Sequence, residues 1–254
     1  MLQVLDCAVL VVNGADGVQG HTETLWRLLK RYEIPAFIFV NKMDQDGTDR
    51  DSLMAELRER FGDGCVDFAD ILAGVPEALE EIAVCDEDVL EEYLETGEVS
   101  ADTIRGFIAA RKIFPCFFGS ALHVQGVEEL LDGLERFAQT PQYGEAFGAK
   151  VYKISRDDQG NRLTYLKVTG GTLSVKEVLP DIGEKVNQIR IYSGAKYELV
   201  SSVGAGQVCA VTGPENTYPG QGLGAEQASD MPVLEPVLTY RIVLPEDCDV
   251  HAML

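Results

Sequence analysis

Apolar residues fall along the chain in two textures. Up to about Gln142, short unbroken apolar runs alternate with longer stretches of helical period. Cys7 to Val12 reads CAVLVV, is rich in β-branched residues and is closed by Asn13-Gly14, which predicts a strand buried on both faces. HTETLWRLLKRYEIP follows, with Leu25, Leu28 and Leu29 on one helical face and a stop before Pro35. AFIFV, Ala36 to Val40, predicts a second buried strand, and IFPCFFGSAL a third around Phe114 to Phe118. GVEELLDGLERF directs Val127, Leu130, Leu131, Leu134 and Phe137 toward a core. Strands that are apolar throughout and joined by helices predict a parallel sheet with both faces covered. The roughly seventy residues from Gln45 to Ile113 are rich in Glu and Asp and helical in period. Pro76 suits a helix first turn there and Ser100 an N-cap, so an insert of several acidic helices is expected.

After Thr140-Pro141-Gln142 the period changes. Val151 to Ile154, a turn at Asp157 to Asn161 and then RLTYLKV read as a β-hairpin with alternating sides. Glycines at 170, 171, 194, 204, 206, 220, 222 and 224 punctuate further short strands, predicting a small antiparallel barrel. Its expected core is Val151, Ile154, Leu163, Tyr165, Ile189, Ile191, Val208 and Val211. Val237 to Leu244 starts one more strand, and EDCDVHAML reads as an unfinished helix. The expected units are residues 1–142, 147–228 and 233–254.

Charge sharpens that division. Of 42 acidic and 21 basic residues, residues 1–145 hold 29 and 11, net −18, while the remainder is net −3. Bulk attraction to duplex nucleic acid is excluded, and RNA contact would need a local basic patch. Cys7, Cys65, Cys85, Cys116, Cys209 and Cys248 form no Cys-x-x-Cys pair, which fits reduced thiols in a cytosolic protein. Asp6 interrupts the apolar start MLQVLDCAVLVV, which has no basic leader region, so neither a signal peptide nor a membrane span is expected.

Open α/β sheets bind ligands at the carboxyl ends of their strands. Asn41-Lys42-Met43-Asp44 stands there, directly after AFIFV. A buried Asp44 carboxylate could accept two parallel bonds from the planar N–H pair that guanine presents and adenine does not. Asn41 can donate and accept along the same ring, and the stem of Lys42 can lie on it. Four residues with one free position recur by chance, and a solvated helix start with Asn as its cap is the plain alternative. Context decides for guanine: a strand before, a helix after, and Gly119-Ser120-Ala121-Leu122 ending the third strand, where a small-residue turn lets a backbone N–H approach the base. His21, His123 and His251 read as surface histidines.

CAVLVVNGADGVQGHTETLWRLLKRYEIPAFIFVNKMD and FFGSALHVQGVEELLDGL resemble the fourth to sixth strands of a translational GTPase of the elongation factor G superfamily. Asn41, Lys42 and Asp44 match its fourth guanine motif, and Ser120, Ala121 and Leu122 its fifth. RLTYLKVTGGTL resembles the elongation factor's second domain, a β-barrel that contacts the ribosome, and PVLTYRIVLPEDCDVHAML the entry into the third. The implied fold is a partial phosphate-loop GTPase domain of α/β class, the C-terminal part of its parallel sheet with a helical insert, followed by an antiparallel β-barrel. DEDVLEEYLETGEVS and the short insert are most similar to the tetracycline-resistance ribosomal protection proteins. The resemblance implies a cytoplasmic parent that uses GTP with Mg2+ on the ribosome, with rRNA and ribosomal proteins as partners. The alternatives are an elongation factor G-like translocation factor, or a non-catalytic guanine- and ribosome-binding fragment. No G-x-x-x-x-G-K-[ST] loop, first switch or Asp-Thr-Pro-Gly-His segment occurs in the sequence. The expectation is a piece of a longer parent with no catalytic residue, no metal ligand and no tight hold on GTP, whose exposed strand edge self-associates.

Overall fold

The computed structural model describes residues 2–228. The strand and helix expected after Val237, the unit 233–254, Cys248 and His251 lie outside them. The first strands are β1 (Ala8–Asn13), β2 (Ala36–Asn41), β3 (Cys65–Asp67) and β4 (Phe114–Phe118), all parallel, in the order β1-β2-β4-β3. The helices are α1 (Gly20–Arg31), α2 (Arg50–Phe61), α3 (Phe68–Leu72), α4 (Pro76–Ala83), α5 (Glu87–Thr96), α6 (Ala101–Ala109) and α7 (Val127–Phe137).

Alternation divides the strand side chains between two cores. Leu10, Val12, Ile38 and Val40 pack with Trp26, Leu29 and Leu57 of α1 and α2. Phe37, Phe39 and Phe117 pack with Phe68, Ile104, Ile108 and Phe137 on the other face. Pro76 opens α4, and the Ser100 hydroxyl accepts the Thr103 N–H at 3.1 Å as the cap of α6.

Three expectations are corrected here. β1 is the edge of the sheet and is covered on one face only, with Val9 and Val11 39% and 57% exposed. The acidic insert is not all helix, because Cys65–Asp67 pairs with β4. On α7, Leu131 faces solvent; the buried positions are Phe137, as expected, and Gly133, where a Cβ would collide with the Phe117 ring.

The second part contains β5 (Gly148–Arg156), β6 (Arg162–Gly170), β7 (Thr172–Ser174), β8 (Gln188–Ser193), β9 (Lys196–Val200), β10 (Ser202–Gly204), β11 (Val208–Thr212) and β12 (Gly222–Gly224). Six of them form an antiparallel sheet, β12-β5-β6-β11-β8-β9, and β10 and β7 form a ribbon. The β5–β6 turn is held by Asp157, whose carboxylate accepts the N–H groups of Gln159 and Asn161 at 3.1 and 2.9 Å. Val151, Ile189 and Val211 are core residues as expected, with Ile154 and Ile191 packed at its margin. Leu163 is buried as expected, 2% exposed, though outside that cluster, whereas Tyr165 and Val208 are not core residues. β6 contributes Leu166 and Val168 instead, and β11 contributes Cys209 and Val211. Tyr165 belongs to a row of rings with Tyr152 and Tyr192 on the other face. The two parts touch at Lys167, 5% exposed, which donates to the Val4 carbonyl at 3.0 Å and pairs with Asp6.

Candidate functional site

β2 and β4 run side by side in register, Val40 opposite Phe118, so the residues after them emerge together. The Gly119 N–H donates to the Val40 carbonyl at 2.9 Å, and the Met43 N–H returns to the Gly119 carbonyl at 3.0 Å. Gly119 is needed for this approach, because a Cβ there would overlap the Gln125 carbonyl. Asn41 ends β2 rather than capping a helix; the cap of α2 is Asp49. Its side-chain oxygen accepts two backbone N–H groups, Lys42 at 2.8 Å and Ala121 at 2.9 Å. The Ala121 N–H is therefore engaged by Asn41. Lys42 takes a left-handed backbone, φ 67°, and its side chain is exposed.

Ser120 is 1% exposed, and its backbone pairs with Gln125 in both directions at 3.0 Å. Its hydroxyl lies beside Asp44 and is the first cause holding that carboxyl below the ordinary carboxylate range. Asp44 is not buried as expected, with its side chain 32% exposed. His123 Nε2 stands 3.5 Å from Asp44 Oδ2. The histidine is on the surface, as its sequence context indicates, but the contact had no signal in the sequence; it arises from the Ser120–Gln125 loop closing on itself. Leu122 is 84% exposed.

An ionised Asp44 is an acceptor only, with two oxygens for a planar pair of N–H donors, and Asn41 carries a donor beside it. These residues fit a guanine base. A G-x-x-x-x-G-K-[ST] loop, whose backbone N–H groups, Lys and Ser or Thr would hold a triphosphate and Mg2+, does not occur in the sequence. No helix among the described residues is long and apolar enough to cross a membrane.

The chain is similar to known translation factors. The chain is 26% identical to elongation factor G of Ureaplasma parvum serovar 3 and 27% identical to elongation factor G of Mycoplasma pneumoniae, in each case over 95% of this chain and 46% of the relative. Elongation factor G 2 of Syntrophus aciditrophicus is 26% identical, over 95% and 47%. The chain thus spans about half the length of the curated relatives it matches. In fold it is similar to a crystal structure from Thermus thermophilus, with a TM-score of 0.76 and 22% identity over 90% of this chain and 42% of that one. The sequence profile of the elongation factor Tu GTP binding domain matches residues 1–140, more than half of the chain, and the chain belongs to that family.

Proposed function

We propose that this chain is the base-recognising and barrel-bearing part of a cytoplasmic translational GTPase that works on the ribosome. The observation that carries the reading is the tie between the two turns: the Asn41 side-chain oxygen accepts the Ala121 N–H at 2.9 Å, which sets the turn after β4 beside Asp44. In this reading Asp44 takes the N1–H and N2–H of guanine, Asn41 and the turn at Ala121-Leu122 line its edge, and the Lys42 stem covers a face. GTP with Mg2+ belongs to the whole parent, and the barrel, residues 147–228, is its ribosome-facing unit. The names of the relatives support an elongation factor G-like parent. The tetracycline-protection form of the reading rests on the short insert and on the likeness of Asp86 to Ser100.

The test is a nuclear magnetic resonance titration of the 254-residue chain with guanosine, xanthosine and adenosine. Guanosine should perturb the amides of Lys42, Asp44, Ala121 and Leu122 saturably, and adenosine should not. GTP should bind no more tightly than about tenfold over guanosine, because triphosphate affinity in such sites depends on a phosphate loop. Asp44→Asn should move the preference to xanthosine, whose carbonyl accepts from an amide. Equal response to guanosine and adenosine, or a variant that still prefers guanosine, would overturn the assignment.

A further inference from the structure

A separate cavity lies at the amino ends of β2 and β4, the edge of the sheet opposite to Asn41 and Ser120. Its volume is about 590 Å3, within the ordinary range of small-molecule sites, and Trp26, Lys30, Glu33, Phe61, Arg111 and Phe114 line it. The aromatic wall is rigid. Trp26 stacks on Phe61 with centroids 4.5 Å apart and meets Phe114 edge-on at 4.6 Å.

Arg111 completes the wall in an unusual way. Its guanidinium lies over both Trp26 and Phe114, 5.0 and 4.9 Å from the ring centroids, and one N–H donates to the Ile34 carbonyl. It is half-buried, and among the described residues no carboxylate pairs with it, a state it shares with Arg162, whereas Arg58 and Arg105 have carboxylate partners. Burial pushes its pKa down, and no neighbouring carboxylate offsets that. A guanidinium nonetheless stays charged in proteins. The residue takes the left-handed backbone region, φ 56°, because it terminates α6, where the Arg111 and Lys112 N–H groups return to the Ile108 and Phe107 carbonyls at 3.0 and 2.8 Å. Tying Ile34 to the aromatic wall uses one of five N–H groups and needs no cavity.

We infer that this cavity binds a small organic carboxylate, gripped by the free N–H fork of Arg111 with its apolar body against Trp26, Phe61 and Phe114. A planar carboxylate matches the fork with two parallel bonds, and aromatic walls favour an anion carrying an apolar body over inorganic phosphate. Lys30 adds a second cation among the lining residues, whose one carboxylate is Glu33. A free acid and the C-terminus of a peptide present the same chemistry. The site is remote from the guanine turns, and its test is independent of nucleotide binding.

Trp26 is the one tryptophan of the sequence, so its emission reports this cavity alone. The intact chain is titrated with phenylacetate and with phenylacetamide, and with N-acetyl-Gly-Phe as its free acid and as its amide. At least one acid should shift Trp26 emission saturably below ~10 mM, with its amide at least tenfold weaker; the acid that saturates first names the source. Arg111→Gln should weaken that acid tenfold or more, and Arg111→Lys less. Should Arg111→Gln fail to fold, the acid-against-amide comparison on the unaltered chain still decides. No saturable shift with either acid, or acids and amides that bind alike, would overturn the inference.

Discussion

The Asn41 side-chain oxygen accepts the backbone N–H of Ala121 at 2.9 Å, joining two turns 80 positions apart in sequence. The same oxygen accepts the Lys42 N–H, so one atom fixes both turns around the Asp44 carboxylate. Each such bond contributes about 1 kcal/mol net. Asn41→Ala should therefore lower the unfolding free energy by ~1–2 kcal/mol and weaken guanosine at least tenfold. Asn41→Asp, which keeps the acceptor, should lose less stability. Urea unfolding followed by tryptophan emission measures this, and an alanine variant with the original midpoint would contradict it.

Parallel strands covered on both faces write continuous apolar runs, so AFIFV and FPCFF announced themselves, and the polar turns at their carboxyl ends marked the site. What stayed hidden was set by tertiary surroundings. CAVLVV has the same composition whether one face is covered or two, and only its place at the edge exposes Val9 and Val11. β6 carries apolar residues on both parities, Leu163 and Tyr165 on one and Leu166 and Val168 on the other, and its barrel-side parity could not be read from alternation. Three residues, Cys65 to Asp67, are too few to show a period. The approach of His123 to Asp44 depends on loop closure between Ser120 and Gln125, which leaves no pattern in sequence.

Gly133 should tolerate no side chain. Added to α7, a Cβ would come within 2.4 Å of the ring edge of Phe117, a residue 1% exposed on β4 and held against Phe68. Helix propensity alone would favour alanine by about 1 kcal/mol, but overpacking in a tight core costs roughly 1–3 kcal/mol. Overpacking should win, because the obstacle is an aromatic ring wedged between helix and sheet. Gly133→Ala should lower the melting temperature, and an unchanged or raised value would show that α7 can shift away freely.

Glu184 gives the barrel a pH dependence of known sign. Its carboxylate accepts the N–H groups of Asn216 and Glu215, at 3.1 and 2.8 Å, and the side chain of Asn216. The Asn216 N–H is the largest cause holding its pKa below the ordinary glutamate value. A folded-state pKa below the unfolded one adds stability that is present above the unfolded value and lost as pH falls through the folded one. Glu184→Gln should melt lower than the unaltered chain at about pH 7, and the gap should close between about pH 5 and 3. A gap that does not change with pH would assign the effect to shape rather than charge.

The barrel, residues 147–228, should fold without the first part. Its core, from Ala149 through Leu223, draws on its own strands, and its length is near the lower size for self-sufficiency. Separation removes the partners of Lys167, the Val4 carbonyl and the Asp6 carboxylate. The isolated barrel should therefore melt cooperatively but below the full chain. Amide resonances collapsed into a narrow band would count against its independence.

The edge strand β1 should draw copies of the chain together. It pairs with β2 alone, and its outer side offers unpaired backbone groups with Val9 and Val11 exposed beside them. Natural edges are usually guarded by charge, bulges or cover. Asp6 is the one nearby charge, and it is engaged with Lys167 and within 3.4 Å of the Tyr143 hydroxyl, so it does not stand guard. Opposing association is the net charge of −18 over residues 1–145. At physiological salt that repulsion acts over only about 8 Å, whereas strand pairing acts at contact. Multi-angle light scattering at tens of micromolar in ~150 mM salt should show dimers or larger species, more of them as salt rises. Val9→Lys or Val11→Lys should restore the monomer, since both side chains already face solvent. Leu10→Lys would be uninformative, because Leu10 packs against the helices and its loss unfolds the core. A monomer at every salt concentration, with β1 amides protected from hydrogen exchange, would show that the chain covers this edge itself.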